Sequence, residues 1–311
     1  MDIKKVSIIG CGALGIMYAS HMLKKLSHDQ VQFIANQDRV DKYQNTEFYA
    51  NGERQSFHFV SADACTGPSD LIIFTVKYGD LNEAIYQVKN HIAENTIILS
   101  FLNGISSETI IGETYNPAKI ITSMVAGMDA TRTGYAVNFA NIGYVAFGAL
   151  SYNDPQDIRR LASFFEHVQM NYEIQDDIMK SIWWKYILNI GVNQASALLK
   201  APYGLFQTSE HAEKIMVMLI HEAYEVSCKL NVGIEPEEID NILEIIKTLS
   251  PHGKTSMCQD IEAKRPTEID MFAGTLIEIG KQHNVVLPVN TFVFNAIKAL
   301  ESMFLIDYVI E

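Results

Sequence analysis

The stretch KVSIIGCGALGIMYAS, residues 5–20, sets the class of fold for the whole chain. It begins with a β-rich run, Lys5–Ile9, continues with the pattern G-x-G-x-x-G at residues 10–15, and enters a predicted helix, Ile16–Leu26. A strand, a glycine-rich turn and a helix in this order are typical of a unit that binds a dinucleotide. The stretch therefore predicts a dinucleotide-binding loop near the start of the chain.

Each glycine of this loop has its own physical reason. Gly10 permits the tight turn after the strand, and Gly12 lets the backbone approach a pyrophosphate. Gly15 lets the helix pack close to the sheet, so that the helix N-terminus faces the anion. A glycine-rich turn without a ligand is the alternative interpretation. The predicted cofactor-binding residues of the loop are Gly10, Cys11, Gly12, Ala13, Leu14 and Gly15.

Short β-rich runs alternate with helical stretches through the rest of the first half, which favours a parallel α/β sheet. The further predicted strands are Val31–Ala35, Phe48–Ala50, Phe57–Val60, Leu71–Val76, Thr96–Leu102 and Ile120–Val125, and Leu81–Ile92 is a predicted helix. Asn51-Gly52 is a strong turn signal and predicts a hairpin between the runs 48–50 and 57–60. Ala136–Phe139 and Tyr144–Phe147 are predicted to form another antiparallel pair.

The second half changes character, because apolar residues recur three and four positions apart and no strand is predicted from about Gln175 onward. The predicted helices are Met179–Leu199, His211–Leu230, Pro236–Leu249, Thr267–His283 and Asn290–Phe304. The fold class predicted is therefore α/β, with an N-terminal Rossmann-type dinucleotide-binding domain over residues 1–174. An all-helical C-terminal domain follows over residues 175–311.

Composition excludes several classes of protein. Lys and Arg total 24 against 37 Asp and Glu, so a net charge of −13 argues against a nucleic-acid binder. No run approaches the roughly 18 apolar residues of a membrane span. None of the four cysteines forms a CxxC pair, and the HExxH-like start at His221-Glu222 fails because residue 225 is Glu, so no metal site is predicted. Four unpaired thiols in a chain of 311 residues are typical of a cytoplasmic protein.

The residues after the second predicted strand bear on the choice between NAD and NADP. An acid in this place favours NAD, and a nearby Arg accommodates the additional phosphate of NADP. Here Asn36 is neutral, whereas Arg39 stands close enough in sequence to reach a 2′-phosphate. The pattern favours NADP and leaves NAD open, and a solvated surface Arg39 is the alternative interpretation.

Two polar residues follow buried strands. Lys77 ends the run Leu71–Val76, and Asn103 ends the run Thr96–Leu102. Ligands of doubly wound sheets bind outside the carboxyl ends of the strands, so both residues are candidates for the nicotinamide side of a cleft. Ordinary loop chemistry is the alternative, because Asn-Gly is a frequent turn pair.

Lys185, Asn189 and Asn193 recur at intervals of four residues and share one face of a predicted helix. Asn is a poor helix former, which argues against a merely solvated stripe. One cation and two amides suit a small anionic ligand, and partial burial would make Lys185 a general acid.

Farther along, Thr267 and Asp270 fit a helix N-cap signature. Glu268 between them either complements the helix dipole or reaches into a cleft.

Taken together, these residues resemble the ketopantoate reductase family nearly from end to end. The resemblance rests on GCGALG at 10–15, VK at 76–77, NG at 103–104, WxK with two following Asn at 183–193, TSM at 255–257, QD at 259–260, TEID at 267–270 and LPVN at 287–290. It implies a Rossmann-type domain and a helical domain for substrate and dimerisation, with the active site between them. It also implies hydride transfer from NADPH to the ketone of 2-dehydropantoate (ketopantoate), giving D-pantoate for pantothenate biosynthesis.

The resemblance also implies a role for each candidate residue. Lys185 corresponds to the general acid, and Glu268 to a catalytic acid near cofactor and substrate. The implied substrate-binding residues are Asn103, Asn189, Asn193 and Ser256, and Lys77 and Asn103 correspond to residues at the nicotinamide end of the cofactor site.

This chain departs from the family at one position, because Asn36 stands where members commonly carry Arg as the 2′-phosphate ligand. An NAD-dependent D-2-hydroxy-acid dehydrogenase acting on branched or aromatic 2-keto acids is therefore the alternative function. A non-catalytic NAD(P)-binding sensor is the third, and it has no need of the proton donor Lys185. The expected partner is a small 2-keto acid, and a homodimer is left open.

Overall fold

The computed structural model describes the backbone of residues 3–310 and the side chains as far as Phe304. Its contacts divide the chain between Ile178 and Met179 into two compact units, here called unit 1 and unit 2. Unit 1 is α/β and unit 2 is helical, which confirms the predicted fold class. Within the described residues, no helix is long and apolar enough to cross a membrane, and no group of His, Cys, Asp and Glu could hold a metal ion.

The strands all belong to unit 1. In chain order they are β1 (Val6–Ile9), β2 (Val31–Ala35), β3 (Phe48–Ala50), β4 (Glu53–Gln55), β5 (His58–Ser61), β6 (Leu71–Phe74), β7 (Ile97–Ser100), β8 (Thr122–Met128), β9 (Thr131–Thr133), β10 (Ala136–Asn138), β11 (Ile142–Gly148) and β12 (Tyr172–Ile174).

The helices are distributed over both units. In chain order they are α1 (Ala13–Met22), α2 (Gln37–Gln44), α3 (Leu81–Gln87), α4 (Ser107–Gly112), α5 (Pro155–His167), α6 (Ile178–Leu199), α7 (Tyr203–Thr208), α8 (Glu210–Lys229), α9 (Pro236–Thr248), α10 (Ser256–Glu262), α11 (Thr275–Gln282) and α12 (Pro288–Ile310). Short 3₁₀ helices cover Tyr78–Asp80, Lys89–His91 and Pro117–Lys119, and a π-helical turn covers Asp270–Gly274.

A five-stranded parallel sheet carries the candidate dinucleotide loop. Its order is β5-β2-β1-β6-β7, so β1 lies at the centre between β2 and β6. Strands β1, β2, β6 and β7 are buried along their whole length, as continuous apolar runs in parallel sheets require. Because the strands are parallel, the carboxyl ends of β1, β2 and β6 meet at one edge of the sheet.

The predicted hairpin at Asn51-Gly52 exists, but the second strand differs from the expectation. Asn51 and Gly52 have φ of 50° and 79°, and they join β3 to the polar strand β4 rather than to 57–60. The run 57–60 instead contributes β5, which pairs in parallel with β2. Phe59 of β5 stacks on Phe33 of β2, and this apolar contact explains why the run joins the main sheet.

The predicted antiparallel pair of 136–139 with 144–147 is wrong. Strand β10 pairs with β9 and with β3, whereas β11 pairs with β8 and β12 in a separate three-stranded sheet. The Asp129 carboxylate accepts hydrogen bonds of 2.9 Å from the backbone N–H groups of Ala140 and Asn141. These bonds hold the connection between β10 and β11 against the end of β8, so the two strands enter different sheets.

Unit 2 is helical in its described part, but the predicted helix Thr267–His283 is interrupted. The chain forms the π-helical turn Asp270–Gly274, in which Gly274 N–H donates to Ile269 O, and α11 begins only at Thr275. The start of α12 is fastened by the buried side chain of Asn290. Its Nδ2 donates to Glu222 Oε2 of α8 at 2.8 Å, and its Oδ1 accepts from Gln194 of α6 at 3.1 Å. This contact gives the LPVN segment a structural role.

Candidate active site

The glycine-rich loop of unit 1 leaves no room for side chains at two of its three glycines. Gly10 has φ of 109°, and a Cβ there would lie 2.7 Å from the backbone carbonyl of Thr75. A Cβ on Gly15 would lie 2.1 Å from Gly10 O. Thr75 Oγ1 donates to that same carbonyl oxygen at 2.7 Å and holds the loop against β6. Glycine is therefore required at both positions for packing alone.

Gly12 differs, because a Cβ there would meet only Thr75 O at 3.8 Å. Space above the backbone at this glycine is what the approach of a pyrophosphate needs. Gly12 is also the N-cap of α1, and no side chain caps that helix. The first N–H groups of α1 thus remain able to bind an anion, so the loop fits a dinucleotide.

The other loop residues, Cys11, Ala13 and Leu14, are half-buried. Burial raises the pKa of the Cys11 thiol to about 12, so the thiol is neutral and adds no negative charge beside the loop. Arg132, from the β9–β10 hairpin, donates from Nη1 to Cys11 O at 3.0 Å and from Nε to Gly134 O at 2.7 Å. Sequence reasoning missed Arg132, since no spacing relates residue 132 to the loop.

Asn36 has a definite structural role at the end of β2. It is the N-cap of α2, and its Oδ1 accepts a 2.9 Å hydrogen bond from the backbone N–H of Arg39. The side chain of Arg39 is exposed. Asn36 Nδ2 makes a long contact of 3.5 Å with Glu83 Oε1 of α3.

A cleft that is partly open to solvent lies beside the glycine loop. The carboxyl ends of β1 and β2 and the first turns after β6 form its walls. Its polar lining comes from Arg39, Tyr43, Asp80, Glu83 and Gln87. Sequence reasoning named only Arg39 among these five. The spacing of three and four between Asp80, Glu83 and Gln87 puts them on one helix face, and that signal could have found them.

Lys77 and Asn103 follow the neighbouring strands β6 and β7. Lys77 is exposed and is the N-cap of the 3₁₀ helix Tyr78–Asp80, where its carbonyl accepts from Asp80 N–H at 2.9 Å. Asn103 is half-buried and precedes Gly104, whose φ is 86°. Both residues thus lie at the carboxyl edge of the parallel sheet, as their positions in the sequence predict.

The amides of α6 in unit 2 are buried. Asn189 and Asn193 are each 8% exposed, which excludes a solvated stripe. Lys185, on the same face, is half-buried. Burial lowers the pKa of Lys185 to about 8, and the negative charge of Glu268 acts in the opposite direction. The ammonium group of Lys185 thus shares one helix face with two buried amides, and the negative charge of Glu268 reaches it.

Glu268 is half-buried and lies just before the π-helical turn. The predicted capping pair Thr267 and Asp270 is wrong for Asp270. Ile269 N–H donates to Thr267 Oγ1 at 3.3 Å, but Asp270 pairs with Lys298 at 3.0 Å instead of capping a helix. The charge of Glu268 raises the pKa of Lys185, and its role as a catalytic acid stays a prediction.

Ser256 is the first residue of α10, and its side chain is exposed. The start of α10 contacts α6, because the hydroxyls of Thr255 and Ser196 form a hydrogen bond. Thr255, the residue before it, is the N-cap and accepts a 3.1 Å hydrogen bond from Cys258 N–H. The substrate-binding role of Ser256 stays a prediction.

Tyr186 connects α6 with the π-helical turn. Its hydroxyl donates to Phe272 O at 2.6 Å, and its ring stacks on the Phe272 ring with the centroids 6.2 Å apart. Both residues are fully buried. Since Tyr186 follows Lys185 and Phe272 comes shortly after Glu268, this contact holds together the two segments that carry the charged pair.

Comparison with known proteins identifies the family. The model "Ketopantoate reductase PanE/ApbA" matches residues 6–152, and its C-terminal counterpart, "Ketopantoate reductase PanE/ApbA C terminal", matches residues 177–301. A 2-dehydropantoate 2-reductase from Aquifex aeolicus is 26% identical over 305 residues, covering 96% of this chain and 97% of the relative. One from Vibrio cholerae is 25% identical over 299 residues, covering 95% and 97%.

Solved structures have the same fold over nearly the whole chain. A D-mandelate dehydrogenase in complex with NADH and anilino(oxo)acetate has a TM-score of 0.85 at 23% identity, and the match covers 96% of this chain and 99% of that one. A dimeric ketopantoate reductase from Staphylococcus aureus has a TM-score of 0.81 at 19% identity, with the same coverage. The two family models together span most of the sequence, and on that ground the chain belongs to the ketopantoate reductase family of oxidoreductases.

Proposed function

We propose that the protein reduces the ketone of 2-dehydropantoate (ketopantoate) to the alcohol of D-pantoate, a step of pantothenate biosynthesis, with a reduced nicotinamide dinucleotide as hydride donor. One observation carries the proposal: Lys185 lies on a helix face that also presents two buried amides, and burial lowers its pKa to about 8 against the charge of Glu268. The relatives named 2-dehydropantoate 2-reductase support the choice of substrate.

The dinucleotide, when bound, supplies the hydride. Residues Gly10 to Gly15 would hold its pyrophosphate against the uncapped N-terminus of α1. Lys77 and Asn103, at the carboxyl edge of the sheet, would border its nicotinamide end. These roles assign residues 1–174 to the cofactor and residues 175–311 to the substrate.

Lys185 is the general acid. Negative charge develops on the ketone oxygen as the carbonyl carbon is reduced, and a nearby ammonium both stabilises that charge and donates a proton to the oxygen. A pKa of about 8 keeps Lys185 mostly protonated at neutral pH and makes it a stronger acid than an ordinary lysine. Glu268 favours the protonated form. Asn189, Asn193 and Ser256 would orient the 2-keto acid through hydrogen bonds.

The experiment that tests the proposal is steady-state oxidation of NADPH and of NADH with three keto acids: ketopantoate, 2-ketoisovalerate and phenylglyoxylate. We expect kcat/KM for ketopantoate to exceed the others by tenfold or more, about 1.4 kcal/mol of discrimination in the transition state. Equal or lower values for ketopantoate would contradict it.

The similarity to D-mandelate dehydrogenase favours a second candidate function. In it, the same proton donor serves an NAD-dependent D-2-hydroxy-acid dehydrogenase that acts on branched or aromatic 2-keto acids. A preference for phenylglyoxylate or 2-ketoisovalerate in the assay above would establish this alternative.

We further propose a cytoplasmic location, from the four unpaired cysteines, and a homodimer, from the dimeric relative.

A further inference from the structure

A carboxylate stands at the end of β2 although β2 itself supplies none. Glu83 comes from α3, across the cleft, and contacts Asn36 at the carboxyl end of β2. In dinucleotide-binding folds this is the place where an acid accepts hydrogen bonds from the hydroxyls of the adenosine ribose. Glu83 thus brings the expected chemical group to the expected place from a different element.

The Glu83 carboxylate is held by two amide groups. Gln87 Nε2 donates to Oε1 at 2.5 Å, and Asn36 Nδ2 lies 3.5 Å from the same oxygen. Gln87 is itself buried, so its amide is a rigid support. No hydrogen bond to Oε2 is found among the described residues. One oxygen is therefore occupied in positioning the carboxylate, and the other remains able to accept from a ligand.

The charge of the cleft opposes a phosphate. Asp80 and Glu83, one turn apart, both line the cleft, and Arg39 is the cation among the described lining residues. A 2′-phosphate would bring two negative charges close to two carboxylates, and like charges that face each other across an interface lower affinity strongly. A ribose with free hydroxyls donates hydrogen bonds to a carboxylate, and such charge-assisted bonds are strong.

Three other cations near the loop, Lys77, Arg132 and Lys42, lie outside the lining of the cleft. The Arg132 guanidinium already donates to the backbone oxygens of Cys11 and Gly134. The Lys42 ammonium lies 5.9 Å from the ring centroid of Tyr135.

We propose that Glu83 recognises the unphosphorylated adenosine ribose and, with Asp80, excludes a 2′-phosphate, so that the protein uses NADH in preference to NADPH. This reverses the preference for NADP that Arg39 alone favours. The inference rests on the proposed function only in requiring that unit 1 binds a nicotinamide dinucleotide.

The test measures, by calorimetry, the equilibrium binding of NADH and of NADPH to the full-length protein in the absence of keto acid. We expect the wild type to bind NADH at least about tenfold more tightly than NADPH. Glu83→Gln keeps the size of the side chain and removes its charge, and it should reduce that ratio about tenfold, mainly by strengthening NADPH binding. Glu83→Arg should invert the preference.

Glu113→Gln is the matched control, because Glu113 is exposed in unit 1 and does not line the cleft; it should leave both affinities unchanged. Equal or tighter binding of NADPH by the wild type overturns the inference, and so does an unchanged ratio in Glu83→Gln with a native circular dichroism spectrum. In either case the proposed function stands, since it is judged by keto-acid reduction. Failure to bind either dinucleotide overturns both.

Discussion

The glycine-rich loop of unit 1 and the Lys185 face of α6 in unit 2 are built in opposite ways. In the loop, the backbone forms the candidate site, and side chains are absent where they would collide with Thr75 or Gly10. On α6, the backbone is an ordinary helix, and the side chains of Lys185, Asn189 and Asn193 form the candidate site. A backbone site is therefore damaged by adding atoms, whereas a side-chain site is damaged by removing them.

The largest effect on turnover is expected from removing the Lys185 side chain in unit 2. Lys185→Ala should lower kcat about 10²- to 10⁴-fold, because the proton donor for the ketone oxygen is lost. Binding of the dinucleotide by unit 1, measured by calorimetry, should be unchanged. Lys214→Ala, on the exposed side of α8, is the control and should keep full turnover. If Lys185→Ala turned over normally, α6 would not be the catalytic face.

The reverse experiment adds one methyl group to the loop. Gly15→Ala should lower the free energy of unfolding by about 1 to 3 kcal/mol, since its Cβ would lie 2.1 Å from Gly10 O. Gly12→Ala has space for its Cβ, so its thermal stability should be that of the wild type while dinucleotide affinity falls. Thermal melts and calorimetry on both variants separate the two effects. Equal stability losses would show that the space at Gly12 is not kept for a ligand.

A smaller loss is expected where the two segments of the charged pair are joined. Tyr186→Phe removes the hydroxyl that donates to Phe272 O and should lower the stability measured in urea by about 1 kcal/mol. Tyr115→Phe removes a comparable 2.7 Å bond to Ile85 O within unit 1, and it serves as the control because neither residue belongs to the candidate site. Both variants should lose stability, but only Tyr186→Phe should also change kcat. An unchanged kcat would leave Tyr186 with a purely structural role.

The smallest effect is a change in pH dependence. Burial lowers the pKa of Lys185 and Glu268 raises it, so Glu268→Gln should lower that pKa further. Because the general acid must be protonated, the wild-type rate should fall as the pH rises through about 8, and the variant should lose activity from a lower pH. A pH–rate profile at saturating substrate, recorded for the wild type and for the variant, measures the pH at which each rate falls. If the rate of Glu268→Gln fell at a higher pH than that of the wild type, the assigned effect of Glu268 on the pKa of Lys185 would be contradicted.

Much of the main sheet can be predicted because buried parallel strands are continuous apolar runs. Val31–Ala35 has the bounds expected from the sequence. The polar strand β4 escapes such reasoning, since Glu53, Arg54 and Gln55 pair through backbone groups at the surface. The partner strands of β10 and β11 cannot be predicted from the sequence either. Pairing between distant segments depends on contacts such as those of Asp129, which no local sequence pattern indicates.

The same contrast holds for the candidate sites. Glycine spacing and the recurrence of Lys185, Asn189 and Asn193 are local patterns, so the sequence indicates them. Glu83 lies 47 residues from Asn36 and meets it only across the cleft. The sequence shows that Asn36 is neutral, but its capping role depends on the short helix α2 after it, which the sequence pattern does not predict.

That cap restricts how the choice of cofactor could change in evolution. The family resemblance implies an arginine at residue 36, yet here the carboxamide of Asn36 starts α2. Replacement by Asp would keep the cap and add another carboxylate beside Glu83. Replacement by Arg would bring a phosphate ligand but remove the cap, at about 0.5 to 2 kcal/mol. A lineage with this sequence thus reaches an arginine at residue 36 only through a less stable intermediate, unless a new cap for α2 arises first.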